Sequence, residues 1–183
     1  MGLFGKALHE AILSSGEDIE FLIDGFIPKN SVTQFFASDG VGKSTLLIQA
    51  ELEASAGVAI YGEFEVKKPV KILHIQTERA PQEAYQRMIL MMQKIPVNFE
   101  NFYFEPTLQG IDLSAGRDRV LVIDKMKKIK DEFGQIDWVH IDPIYAWTSA
   151  DIATALGAGH INDMIRKIQK DIAPTVSYTH HTN

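Results

Sequence analysis

The sequence has no cysteine in its 183 residues. This absence excludes disulfide bonds, zinc sites with thiolate ligands and cysteine nucleophiles, and it fits a reducing compartment, so we expect a cytoplasmic protein. No apolar run approaches the about 18 residues that a membrane span needs. Basic residues are outnumbered, with 18 Lys and Arg against 24 Asp and Glu. The resulting net charge of -6 speaks against a broad electrostatic clamp on nucleic acid or on an anionic membrane.

Apolar residues make up 45% of the chain, enough to bury a sizeable core without a disulfide or structural metal. Segments rich in β-formers alternate with segments of helical periodicity, and no repeat, linker or low-complexity tract interrupts them. This alternation predicts one α/β domain over residues 1–183, a mainly parallel β-sheet with helices on both faces.

The expected elements follow from periodicity and from glycine and proline positions. The predicted strands span residues 31–37, 70–77, 101–105, 137–142 and 175–181, and the predicted helices span 43–56, 83–93, 116–133 and 161–172. Apolar stripes predict the buried faces of the last two helices; they comprise Val122, Met126, Ile129 and Phe133, then Ile161, Met164, Ile165, Ile168 and Ile172. We expect the segment 143–160, with Tyr145, Trp147 and Thr148, to be an ordinary surface loop rather than a DNA-contacting one.

Residues 1–18 predict a separate amphipathic helix. Its apolar residues recur at helical spacing; they are Leu3, Phe4, Ala7, Leu8, Ala11 and Ile12. His9 and Glu10 interrupt any signal-peptide core, and Lys6 stands where a myristoylation signal requires Ser or Thr. We expect this helix to pack on the domain core or on a neighbouring subunit rather than on a membrane.

The strongest chemical signal is the segment 37–45, ASDGVGKST, between the first predicted strand and the first predicted helix. Gly40 and Gly42 allow a tight turn whose N–H groups point into one concavity at the positive end of a helix, where phosphates bind. Lys43 adds positive charge for the β- and γ-phosphates, and the Ser44 hydroxyl is placed to bind Mg²⁺. The predicted nucleotide-binding residues are Ser38, Asp39, Gly40, Val41, Gly42, Lys43, Ser44 and Thr45. Ala37 replaces the usual first glycine, and Asp39 adds an anion that could weaken phosphate binding.

Two acidic residues follow predicted strands at the edge where open α/β sheets bind ligands. Asp142 ends an apolar strand and is the predicted second Mg²⁺ partner, the alternative being a turn with Pro143. Since Pro143 stands where many ATPases have a second acid, attacking water must be oriented by another residue. Glu78 is the predicted general base, the alternative being a favourable acid at a helix start.

His180 and His181 end the last predicted strand, where an imidazole can hydrogen-bond a γ-phosphate. The alternative is a pair of exposed polar residues. A zinc site at this pair is disfavoured, because adjacent strand residues point to opposite faces and no carboxylate cluster accompanies them.

Four segments together resemble a known family: IEFLIDGFIPKNSVTQFFASDGVGKSTLL, VKILHIQTERA, DWVHIDPIYAW and SYTHHTN. They resemble the RecA-type ATPase core of RepA-like hexameric replicative helicases, with DnaB-, RadA- and KaiC-like ATPases as further relatives. The resemblance covers the chain from about Ile19 onward. It implies ATP and Mg²⁺ as cofactors, with Lys43 and Ser44 holding the phosphates and the metal, Glu78 activating water and Asp142 completing the metal site.

The same resemblance implies that His180 and His181 sense the γ-phosphate and that Arg87 matches an arginine common in the family. It also implies self-assembly into a ring, single-stranded DNA as a partner, and a neighbour's arginine that completes each site. No arginine of this chain can be matched to that one. The five arginines are Arg79, Arg87, Arg117, Arg119 and Arg166.

Family members continue past the paired histidines, whereas this sequence stops at Asn183. From this difference we expect an incomplete domain that binds nucleotide with little hydrolysis and little stimulation by single-stranded DNA. We also expect strand 175–181 to form a sheet edge that favours self-association.

Two other functions stay open at this level. An ATP-gated binding or assembly module with slow hydrolysis would use the same loop, and so would a small-molecule kinase, although the arginines form no obvious lid. A GTPase is disfavoured because the Asn-Lys-x-Asp guanine motif is absent.

Overall fold

The computed structural model describes residues 4–14, 19–78, 80–149 and 154–181. Five α-helices and seven β-strands lie in these ranges: α1 (Gly5–Ser14), β1 (Phe21–Ile23), β2 (Ile27–Pro28), β3 (Val32–Ala37), α2 (Lys43–Ala56), β4 (Ile72–Gln76), α3 (Pro81–Met92), β5 (Phe102–Glu105), α4 (Gly116–Phe133), β6 (Trp138–Asp142), α5 (Ala155–Asp171) and β7 (Thr175–His181). A short 3-10 helix at Ile144–Trp147 follows β6. None of the described helices combines the length and the apolar character needed to cross a bilayer.

A five-stranded parallel sheet in the order β3-β7-β6-β4-β5 forms the centre of the fold. With helices around it, this sheet confirms the predicted α/β architecture of a RecA-like P-loop NTPase. The antiparallel hairpin of β1 and β2 lies outside this sheet and was not predicted. Because parallel strands are joined by crossovers, chain order does not give spatial order.

The expectation that residues 175–181 form a sheet edge is wrong. β7 pairs with β3 on one side and with β6 on the other, and the edge strands of the described sheet are β3 and β5. A buried central strand has both rows of backbone groups satisfied, so β7 offers no free edge for self-association.

The two faces of the sheet have different cores. Helices α4 and α5 cover one face, where the apolar stripes predicted for them are buried except for the half-buried Phe133. Helices α2 and α3 cover the other face, where Ile48, Leu52 and Met88 pack near Ile72 and Trp138. Alternation along each strand sends neighbouring residues to opposite faces, so the buried residues of one strand are divided between the two cores.

Most predicted boundaries lie within two residues of the observed ones, and 43–56, 116–133 and 175–181 agree fully. Helix α5 is an exception, since it begins at Ala155 rather than at 161. The Thr154 hydroxyl caps it by accepting a hydrogen bond of 3.2 Å from the Gly157 N–H, which starts the helix before its apolar stripe begins.

The surface-loop prediction for 143–160 is wrong at its start. Ile144 and Trp147 are buried, and the Trp147 indole N–H donates a 2.9 Å hydrogen bond to the Leu108 carbonyl oxygen. Residues 150–153 lie outside the described ranges. Trp147 is therefore a core residue in the described structure.

Helix α1 covers Gly5–Ser14, within the range 1–18 predicted for it, and the apolar side chains described here do not pack on the domain core. Phe4 is 85% exposed and Leu8 is 43% exposed. Packing on the chain's own core is thus wrong for these two residues, and packing on a neighbouring subunit stays a prediction.

Candidate nucleotide-binding site

The segment 38–42 connects β3 to α2 at the carboxyl end of the sheet. Gly40 and Gly42 have positive φ angles of 76° and 92°, which a residue with a Cβ adopts only with strain. These conformations turn the chain sharply into the first turn of α2. The first N–H groups of an α-helix have no acceptor within the helix, and such groups bind phosphate.

Lys43 folds back over this loop. Its Nζ donates hydrogen bonds of 2.6 Å to the Ala37 carbonyl oxygen and 3.0 Å to the Ser38 carbonyl oxygen. The cation therefore lies against the two residues that open the loop. A bound phosphate would offer it stronger, charge-assisted bonds than these neutral carbonyls do.

Asp142 ends β6 and is only 2% exposed. Its Oδ1 accepts a hydrogen bond from the Thr179 hydroxyl of β7. Its Oδ2 is buried and has no hydrogen-bond partner among the described residues. A buried carboxylate oxygen without a partner is costly, so this atom suits a ligand that supplies positive charge.

The charge of Asp142 is maintained against its burial. Burial raises the pKa of the carboxyl group. The nearby His140, His74, Thr179 hydroxyl and Ser44 side chain together lower this pKa by more than burial raises it, so it lies below its usual value. The effect of Ser44 on this pKa indicates that the first turn of α2 lies near the end of β6. A hydroxyl and an ionised carboxylate are oxygen ligands of the type that Mg²⁺ prefers, so the residues present fit this ion.

Glu78 lies two residues beyond β4, at the same edge of the sheet. The preceding Thr77 is tied to the end of β6: its N–H donates to the Asp142 carbonyl oxygen at 3.0 Å, and its hydroxyl donates to the Pro143 carbonyl oxygen at 2.6 Å. Glu78 itself is exposed. The fold thus holds the backbone beside Asp142 and leaves the Glu78 side chain at the solvent boundary.

The two histidines at the end of β7 lie beside the end of β3. Register pairs His180 with Phe36 and His181 with Ala37, where the phosphate loop begins. Because Thr179 contacts Asp142, alternation places His180 on the other face, where its ring centroid lies 6.2 Å from that of Tyr145. The His181 side chain lies outside the described structure.

Arginine positions are dispersed. Arg87 on α3 lines a cavity of about 540 Å³ together with Thr45 and Gln49 of α2. Arg119 donates a 2.6 Å hydrogen bond to the Leu113 carbonyl oxygen, and Arg79 lies outside the described residues. Arg87 thus shares a cavity with Thr45, a residue of the predicted nucleotide site.

Thr179 and a set of buried side chains beneath the loop, formed by Glu51, His74 and His140, were not predicted from the sequence. Thr179 gives no signal of its own, since a threonine in a strand is ordinary. The histidines do give one, because each interrupts an otherwise apolar strand, ILHIQ in β4 and WVHID in β6.

The parallel sheet, the glycine-rich loop and the buried acid at the end of β6 define a P-loop ATPase domain. Residues 6–183 match the AAA_25 family, described as an AAA domain, and the chain belongs to this family of P-loop ATPases. No curated protein matches the chain.

Proposed function

We propose that the protein binds ATP with Mg²⁺ at residues 38–45 and hydrolyses it, as the ATPase core of a RepA-like replicative DNA helicase working as a homo-oligomeric ring. The observation that carries the ATPase proposal is the buried Asp142 carboxylate at the carboxyl end of β6, whose Oδ2 lacks a hydrogen-bond partner among the described residues. Family membership supports the ATPase class. The helicase assignment rests on the four sequence segments.

Each residue has a defined task in this proposal. Lys43 exchanges its carbonyl contacts for the β- and γ-phosphates, and the loop N–H groups bind the remaining phosphate oxygens. Ser44 and Asp142 hold Mg²⁺, which when bound neutralises charge on the phosphates. Glu78 accepts a proton from the attacking water, whose oxygen bonds to the γ-phosphorus while the bond to ADP breaks. His181 and His180 sense the γ-phosphate.

Replacing the lysine tests the binding site. We expect Lys43→Ala to abolish measurable ATP binding in the presence of Mg²⁺, because the loop loses its only side-chain cation. Titration calorimetry on the folded variant measures the effect, with Lys128→Ala, an exposed lysine of α4, as the matched control. Near-normal affinity in folded Lys43→Ala would show that nucleotide binds elsewhere.

Replacing the acid tests catalysis. Glu78→Gln should retain ATP and Mg²⁺ while slowing hydrolysis by about 10² or more, as for a lost general base. Glu83→Gln, at an acid in the first turn of α3, is the matched control for a role at a helix start. If both variants hydrolyse ATP at the wild-type rate, Glu78 is not the base.

The helicase assignment needs a separate measurement. Sedimentation with ATP and Mg²⁺ should reveal a ring-sized oligomer. Single-stranded DNA that associates with this oligomer would separate a helicase from an ATP-gated assembly module, and a chain that binds ATP but stays monomeric would contradict the ring.

A further inference from the structure

Beneath the phosphate loop, three ionisable side chains meet inside the core. Glu51 extends from the third turn of α2, while His74 of β4 and His140 of β6 are register partners in the sheet. All three residues are 0% exposed. Glu51 Oε2 lies 2.7 Å from His74 Nδ1, and Glu51 Oε1 lies 3.9 Å from His140 Nε2. One ligand atom from each residue lies within 4.8 Å of the other two.

Two atoms of this cluster lack hydrogen bonds. Glu51 Oε1 and His140 Nε2 are both buried without a partner among the described residues, and each is the other's close neighbour. If Nε2 carries no hydrogen, two lone pairs face each other across this gap. If it carries one, the 3.9 Å separation is too long for a hydrogen bond. A cation between the two atoms satisfies both.

The outer nitrogen of each ring is held by a neighbouring side chain. His140 Nδ1 lies 2.6 Å from the Ser177 hydroxyl oxygen, which also accepts a 2.7 Å hydrogen bond from the Trp138 indole N–H. His74 Nε2 lies 3.4 Å from Gln76 Oε1. Histidines that bind metals are oriented in this way, with the second ring nitrogen fixed by a polar partner. The rings are thus directed at Glu51.

We propose that Glu51, His74 Nδ1 and His140 Nε2 bind one Zn²⁺ ion that ties α2 to strands β4 and β6. Two imidazoles and one carboxylate are a known zinc donor set, whereas Mg²⁺ prefers oxygen ligands. Both oxygens of Glu51 together with the two ring nitrogens give four donor atoms, and bonds of about 2.0–2.2 Å place each nitrogen about 3.3–3.6 Å from a neighbouring ligand atom. Binding therefore shortens the Nε2 to Oε1 gap, lengthens the His74 to Glu51 contact and releases the proton shared by that pair to solvent.

This site is separate from the proposed nucleotide site. Ser44 and Asp142 offer oxygen atoms at the solvent-facing end of the sheet, whereas the cluster lies two residues deeper along β6 and is closed to water. The ion has a structural task, holding the helix that begins with Lys43 against the sheet. Its binding needs no nucleotide.

Because the cluster is fully buried, the test loads the ion during folding. The full chain is unfolded in denaturant with a chelator, desalted, refolded with one equivalent of Zn²⁺ or with none, dialysed, and assayed for metal by mass spectrometry. We expect one zinc per chain and a higher thermal midpoint than in the zinc-free sample. An excess of Mg²⁺ should not displace the zinc. A refolded wild-type protein that retains no zinc would overturn the proposal.

Variants locate the ion. His140→Ala and His74→Ala should lower zinc affinity by more than about 100-fold, since losing a ligand costs more than losing an outer partner. His9→Ala, at an exposed histidine of α1, is the matched control and should bind normally. Lys43→Ala should also bind normally, which separates failure of this site from failure of the nucleotide site.

Cobalt provides a readout that does not depend on the variants. Refolding the wild-type chain with Co²⁺ should give the visible absorption of a tetrahedral nitrogen and oxygen site, and Zn²⁺ should abolish it. If zinc remains bound in folded His140→Ala, or if the cobalt spectrum is that of the aqueous ion, the ion does not occupy this cluster.

Discussion

The two faces of the central sheet contain different kinds of core. Against α4 and α5, β6 presents Val139 and Ile141, which join an apolar cluster. Against α2, the same strand presents Trp138, His140 and Asp142, all buried. One strand thus contributes to a plain hydrophobic core on one side and to a row of chemically active groups on the other. The ionisable residues of β6 thus all lie on the face covered by α2, which also has an apolar cluster of its own.

On the face covered by α2, the polar residues also differ in their distance from solvent along the strands. At the carboxyl edge, Asp142 approaches Ser44 and the loop that opens to solvent, whereas His140, two residues earlier, is sealed beneath α2. Ser44 and the loop are partly or fully exposed to solvent, whereas His140 is fully buried. We therefore expect the site at Ser44 and Asp142 to exchange ligands readily and the buried cluster that contains His140 to retain any ion that it binds.

The largest stability effect should come from the sheet face that α4 and α5 cover. Met126→Ala removes a fully buried side chain of α4 and should lower the free energy of unfolding by about 2–5 kcal/mol. ATP affinity of the folded variant should stay unchanged. Urea denaturation and calorimetry measure the two quantities, with exposed Lys128→Ala expected within about 0.5 kcal/mol of wild type. A loss of ATP affinity in the folded variant would contradict the expectation that this face does not affect the nucleotide site.

A smaller effect on stability is expected on the sheet face that α2 covers. Ser177→Ala leaves the Trp138 N–H and His140 Nδ1 without their common partner, which should lower the unfolding free energy of the zinc-free protein by about 1–3 kcal/mol. Ser149→Ala is the matched control, because its hydroxyl donates at 2.7 Å to Asp112 at an exposed position. Equal losses in the two variants would contradict the role of burial.

The smallest effect concerns Tyr61, beside the start of α2. Its hydroxyl donates a 2.6 Å hydrogen bond to the Leu46 carbonyl oxygen. Burial, with the charges of Glu53 and Glu51, raises the Tyr61 pKa from 10.0 to about 12. In that interval the folded state keeps a proton that the unfolded state releases, so stability falls as pH rises from 10 to 12.

Tyr61→Phe should lower stability at neutral pH by about 0.5 kcal/mol, the low end for a lost hydrogen bond at a partly exposed site. It should also reduce the loss of stability between pH 10 and 12. Urea titrations of both proteins at each pH measure the difference. An identical pH dependence would mean that Tyr61 ionises alike in both states.

Local features of the fold were predictable because their causes are local. Gly42 and Gly57 border α2, and both have positive φ angles that end or begin a helix. The apolar stripe of α5 likewise predicts its buried face. The place of β7 in the sheet was not predictable, since strand order depends on contacts between residues far apart in sequence.

The candidate site likewise has a part that the sequence predicts and a part that it does not. Lys43 and Ser44 belong to a compact motif, and the spacing of its residues is what phosphate and Mg²⁺ binding require. The partnership of Asp142 with Thr179 joins two strands, and the meeting of Glu51 with His140 joins a helix to a strand. Such pairs are set by tertiary packing, so a single sequence shows the residue types but not which of them meet.

The insertion of β7 between β3 and β6 also governs how the protein is made. β3, which leads into the phosphate loop, leaves the ribosome early, but its sheet partner begins only at Thr175. Until then the nascent chain has β3 and β6 with open edges, which slows closure and exposes the intermediate to aggregation. Translation past β7 is therefore the step that joins the loop strand to the strand of Asp142, and a chaperone acting on this chain would meet it before that step.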